Sequence, residues 1–133
     1  QYIYSVKIFD ELKSNLELNE SEINLFYSLL EGDPLGLYFQ NKLNIHESEY
    51  LFKKLSIKHN IFIKDLFYLY TVYYQVDSGS YTADAGGKYF LEKIFKYNNG
   101  EKVFNSESRR LVFTNYYEQK YNTLKSKIDN YVS

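Results

Sequence analysis

The chain contains no cysteine, no methionine and no tryptophan, and only one proline. Without cysteine there are no disulfides, thiolate metal ligands or thiol nucleophiles. That composition suits a reducing cytoplasm, where we expect the protein to work. No apolar run reaches the eighteen or so residues of a membrane span; residues 61–76 are interrupted by Lys64, Asp65, Thr71 and Gln75. No signal-peptide pattern opens the sequence, and no membrane association is expected.

Catalytic motifs are missing too. His46 and His59 lack the HxxxH or HExxH spacing of a metal site and read as surface residues among Lys, Asn and Glu. There is no G-x-S-x-G elbow and no D-x-D-x-D-G metal loop. Gly86-Gly87-Lys88 lacks the first glycine of a phosphate loop and is followed by Tyr89, so it reads as a turn. The expectation is a protein that is not an enzyme and holds no cofactor or metal.

What is present is a globular composition. The 133 residues are 44% hydrophobic and 25% charged, enough for one domain, residues 1–133, with a real core. Sixteen Tyr and ten Phe raise the aromatic share to 20%. An AT-rich coding sequence accounts for that bias, although a Tyr also suits a core rim or an interface. Charge is unevenly placed. Residues 1–87 carry seven Lys against twelve acids, giving −5, and residues 88–133 carry nine Lys or Arg against five acids, giving +4. An anion-binding surface therefore belongs in the C-terminal third.

Periodicity predicts a mainly helical chain. Residues 2–18 place Ile3, Val6, Phe9, Leu12 and Leu16 at helical spacing. Asn19 with Glu22 forms a capping-box pattern before a stripe of Ile23, Phe26, Tyr27 and Leu30. Gly32 is placed to end that helix, and Asp33-Pro34 to start a short one over residues 35–43. Asn44 with Glu47 caps a helix over residues 45–58. Residues 62–75 follow, with Leu66, Leu69, Tyr70 and Tyr73 on one face and strand-like Thr71-Val72-Tyr73-Tyr74 near the end. Asp77-Ser78-Gly79-Ser80 reads as a loop and Gly86-Gly87 as a second break.

Residues 88–97 read as a helix ended by Asn98-Asn99-Gly100. Residues 101–104 and 109–113 then form two short strands of a hairpin, with Val103, Leu111 and Phe113 facing inward. Thr114 or Asn115 caps a last helix, in which Tyr117, Tyr121, Leu124, Ile128 and Tyr131 make a seam with coiled-coil spacing. The seam can serve as a dimer interface or pack on the N-terminal helix of its own chain.

Helix, turn, strand, charged turn, strand and long amphipathic helix is the order from residue 88 onward. On Phe90-Leu91-Glu92-Lys93-Ile94-Phe95-Lys96, Glu101-Lys102-Val103, Glu107-Ser108-Arg109-Arg110-Leu111-Val112-Phe113 and Lys120-Tyr121-Asn122-Thr123-Leu124, the chain resembles the MarR superfamily of winged-helix regulators. It is most similar to the staphylococcal accessory regulator (Sar) branch, with Glu107-Ser108-Arg109-Arg110 in the place of the wing signature. The resemblance implies a winged-helix-like domain with a small β-hairpin and a long C-terminal helix, acting as a homodimeric DNA-binding transcriptional regulator.

Lys88, Tyr89, Lys93 and Lys96 would then meet double-stranded DNA from the helix, and Arg109 and Arg110 from the wing. Taken alone, Lys93 and Lys96 also fit an ordinary solvated face, and Arg109 and Arg110 fit ion pairs with Glu101 or Glu107. A second helix-turn-helix candidate, Leu43-Asn44-Ile45 with residues 47–58, would point Glu47 and Glu49 at phosphate, so a structural role suits it better. The alternative function is a small helical protein-binding module, of the immunity-protein or phage-inhibitor kind, whose partner meets the acidic N-terminal half.

Overall fold

A computed structural model describes residues 6–7, 9–11, 13, 16–79 and 87–131, with side chains at all of these except 79 and 87–90. The order is α1 (Glu20–Glu31), α2 (Pro34–Phe39), α3 (Ile45–His59), α4 (Ile63–Gly79), α5 (Gly87–Ile94), β1 (Tyr97–Asn98), β2 (Glu101–Lys102), β3 (Phe104–Asn105), β4 (Arg110–Leu111) and α6 (Asn115–Asp129). The protein is mainly helical, with two small antiparallel hairpins and a C-terminal helix. Of the helix expected over residues 2–18, the described residues 6–7 and 9–11 are helical and residues 16–18 are not; the others, apart from Lys13, lie outside the described residues.

The helix starts follow local chemistry. Asn19 and Asn44 each accept from the backbone of Glu22 and Glu47, whose carboxylates accept in return from the asparagine N–H groups. Two orphan donors are thereby satisfied at each end. Asp33 caps α2 through Leu35 N at 3.0 Å, with Pro34 at the first helical position. Asn60, in the left-handed region, closes α3.

Helix α3 is central, packing on α2, α4 and α6. Phe52 of α3 meets Phe67 and Tyr70 of α4 edge-on at 5.2 and 5.5 Å. Phe39, at the end of α2, touches Tyr74, Phe113 and Tyr117 at 5.1–5.4 Å. These rings belong to one connected core that also takes in Leu29, Leu91, Ile94, Phe95, Tyr121, Leu124 and Ile128.

Several expectations are corrected. Helix α4 runs to Gly79, through Asp77 and Ser78, which read as a loop. Its buried positions, Ile63, Leu66, Phe67, Tyr70, Thr71, Tyr74, Gln75 and Ser78, keep one helical stripe going, and that packing outweighs the turn propensity of the final residues. No strand forms at Thr71–Tyr74. Gly87, read as a break, opens α5. On α1 the core side is Ser28 and Leu29, while Phe26 is 42% exposed and stacks on Phe9 at 5.2 Å. His59 is not a free surface residue: it is partly buried and shares a 2.9 Å hydrogen bond with Ser28, and burial lowers its pKa.

The five seam residues of the last helix are engaged within one chain. Tyr121, Leu124 and Ile128 are buried in the core. Tyr117 packs edge-on against Phe39, and Tyr131 donates to Glu49 at 2.8 Å. The stripe turns toward α3 and α4 and is used up there.

Candidate nucleic-acid interface

Helix α5 ends at Ile94, three residues before its expected end, because Phe95 is drawn into a β-bridge with Phe113 and stacks on it at 5.5 Å. Leu91, Ile94 and Phe95 are buried, and Glu92, Lys93 and Lys96 are exposed. Thr114 fixes the end of the helix from the other side, donating its hydroxyl to Lys93 O and its N–H to Ile94 O, both at 2.8 Å.

The hairpin segment is a three-way junction. Lys96 N donates to Val112 O, Val112 N to Val103 O, and Val103 N to Lys96 O, at 2.8–2.9 Å. These bonds close a ring among three strands. The strand expected over residues 101–104 is therefore split: Glu101–Lys102 pairs with Tyr97–Asn98, and Phe104–Asn105 with Arg110–Leu111. The first hairpin was not expected. Its signal was the pair Asn99-Gly100, with φ of 51° and 80°, the positive values that a two-residue type I′ turn requires. The second hairpin lies within the expected one but is shorter, with Phe104 and Asn105 paired to Leu111 and Arg110. Phe113 is buried, Val103 and Leu111 are half-buried, and Phe104 points outward.

The arginines part company. Arg109 is exposed and holds a left-handed backbone, φ 57°, where a glycine would be less strained. The turn that forces this is organised by Asn105, whose side chain accepts from the N–H groups of Glu107 and Ser108 at 2.9 and 3.0 Å. Arg110 is partly buried with its guanidinium 4.7 Å from the centroid of Tyr121, which makes it a packing residue of the core edge. Neither forms an ion pair with Glu101 or Glu107; the ion pairs among the described residues are Lys13–Asp10 and Lys125–Asp129. Lys93 and Lys96 form none either. The side chains of Lys88 and Tyr89 lie outside those described.

No family model, no curated protein and no solved structure matches this chain. Two surface features escaped the sequence reading. Next to the hairpin, Val72, Gln75 and Val76 of α4 join Lys102, Phe104, Arg109 and Leu111 around an open depression of about 460 Å³. The signal was on α4, where Tyr68, Val72 and Val76 lie four apart on the side away from the core.

The other feature is a small polar cavity of about 160 Å³ lined by Asp33, Gly36, Leu37, Gln40, Tyr74, Asp77 and Ser78. Burial pushes the Asp33 carboxyl up to about 7, against the pull of its hydrogen bonds from Gly36 and Leu35, and nearby Asp77 adds to the rise. Asp77 is itself raised by burial. Asp33 can hold a proton near neutral pH. No group of three His, Cys, Asp or Glu able to hold a metal occurs among the described residues. No described helix is long and apolar enough to cross a membrane.

Proposed function

We propose that the protein is a winged-helix-like DNA-binding module, with α5 and the hairpin that follows it as the contact surface. One observation supports this reading above others: the segment in the basic third of the chain is a helix locked to a β-hairpin, with Lys93 and Lys96 turned to solvent and, among the described residues, bound in no ion pair. Unpaired cations on a rigid element meet phosphates without first breaking a salt bridge. Arg109, at the hairpin turn, is the wing cation. Arg110 acts indirectly, by packing on Tyr121. Helix α6 is no dimer seam in this proposal, because its apolar stripe is filled by its own chain; a pairing of two copies would use another face.

The test is a fluorescence titration of mixed-sequence duplexes at low salt, where attraction is least screened. Binding that weakens with salt, and that Lys93→Ala with Lys96→Ala weakens further while flattening the salt slope by about two units, is the expected result. No binding at low salt defeats the proposal. The alternative, a protein-binding module without DNA binding, draws support from the exposed apolar residues of α4.

A further inference from the structure

The outer face of α4 meets the edge of the hairpin in a depression whose α4 side the DNA reading does not use; the two surfaces share Arg109. Val76 is 67% exposed, Phe104 59%, Tyr68 53% and Val72 37%. Isolated exposed apolar residues are ordinary, but an adjoining set rimmed by polar groups marks an interaction site. Val72, Val76, Phe104 and Leu111 floor the depression, and among the described residues that line it Lys102 and Arg109 are the charged ones and none is a carboxylate. Its volume of about 460 Å³ lies in the range of ligand-sized pockets.

We infer that this groove docks an acidic, apolar segment of another protein: large aliphatic or aromatic side chains on Val72, Val76 and Phe104, with flanking carboxylates toward Arg109. Charge complementarity selects this occupant. A second copy meeting the groove about a two-fold axis would set the same cationic edge against itself. A duplex would leave the apolar floor without a partner. The backbone of Arg109 supports the assignment independently. An arginine at φ 57° is more strained than a glycine would be, and strain of this kind concentrates where a side chain is needed for contact.

The test uses two labelled synthetic amphipathic helices with the same Leu and Phe face, one flanked by Glu and one by Lys, titrated against the whole chain. The Glu peptide binds about tenfold or more tighter than the Lys peptide, a difference of roughly 1.4 kcal/mol. Val72→Ser with Val76→Ser weakens the Glu peptide by about tenfold while leaving duplex binding unchanged. Arg109→Gly relieves the strained backbone, so its thermal midpoint stays at or above the wild-type value while the Glu peptide binds several-fold more weakly.

Equal binding of the two peptides, no binding of the Glu peptide, or an Arg109→Gly chain that binds like the wild type overturns the inference. So does sedimentation showing a dimer that Val72→Ser with Val76→Ser dissolves, which would make the groove a contact between copies. Loss of duplex binding in that same variant would make it a nucleic-acid surface. The DNA proposal is tested through Lys93 and Lys96, so either idea can fail without the other.

Discussion

Helices α6 and α4 both carry apolar residues at helical spacing, yet the two stripes end in different surroundings. On α6, Tyr121, Leu124 and Ile128 are sealed against α3 and α4, and the opposite face is polar apart from Tyr116 at its first turn. On α4 an inner stripe from Ile63 to Ser78 is buried, while Tyr68, Val72 and Val76 stand in solvent on the outer side. A single stripe tells which face of a helix is buried, but not against what. The regular seam of α6 suits another copy and the rest of its own chain equally well. An apolar surplus on a second side is a different signal, because the fold has already used the first side.

The largest expected effect bears on the inner stripe. Leu124→Ala should cost about 2–5 kcal/mol in urea unfolding, since a fully buried leucine loses its transfer energy and leaves a cavity. A cost below about 1 kcal/mol would mean that α6 is not bound into the core as described.

The next effect concerns the cavity at the end of the inner stripe. Asp33→Asn keeps a capping side chain for α2 but removes a desolvated carboxylate. The folded pKa of about 7 lies above the ordinary 3.8, so the native state holds more protons than the unfolded chain between those values. Wild-type stability from this group falls as pH rises from about 4 to about 7 and is level above. The Asn variant escapes that fall. The two proteins should match near pH 4, and Asn should be the more stable at pH 8 by up to about 4 kcal/mol. Parallel unfolding curves across the range would show Asp33 to be solvated.

The smallest effect is on the outer stripe. Val72→Ser with Val76→Ser should change stability by about 1 kcal/mol or less in total, against the large cost of a single buried leucine on α6. A cost approaching that of Leu124→Ala would erase the contrast between the two stripes.

The sequence made the helix starts legible because capping is local. Asn19–Glu22, Asp33–Pro34 and Asn44–Glu47 each settle their own hydrogen bonds within a few residues. The second hairpin was legible for a similar reason, with Asn105 organising its own turn. Features fixed by distant contacts were harder to see. The end of α4 is held by packing through Ser78, and the end of α5 by the pairing of Phe95 with Phe113. The split of the middle strand follows from a ring of bonds among Lys96, Val103 and Val112. Among the candidate site residues, Lys93, Lys96 and Arg109 reach solvent as expected. Arg110 is only partly exposed, because its guanidinium packs on Tyr121 of α6, a contact that the sequence around residue 110 does not reveal. Asn99-Gly100 was legible but read as a helix terminator.

Gln75 has a consequence of a different kind. Its amide nitrogen donates to Leu111 O at 3.1 Å, and its amide oxygen accepts from Leu111 N at 3.0 Å. A side chain thus pairs with both backbone groups of β4 that face away from β3, as a single peptide unit of a further strand would. Short hairpins with open edges are templates for sheet growth between molecules. Here the edge is closed from a neighbouring helix by one glutamine, so the strand that borders the exposed groove cannot be extended at that position by another chain while α4 stays folded.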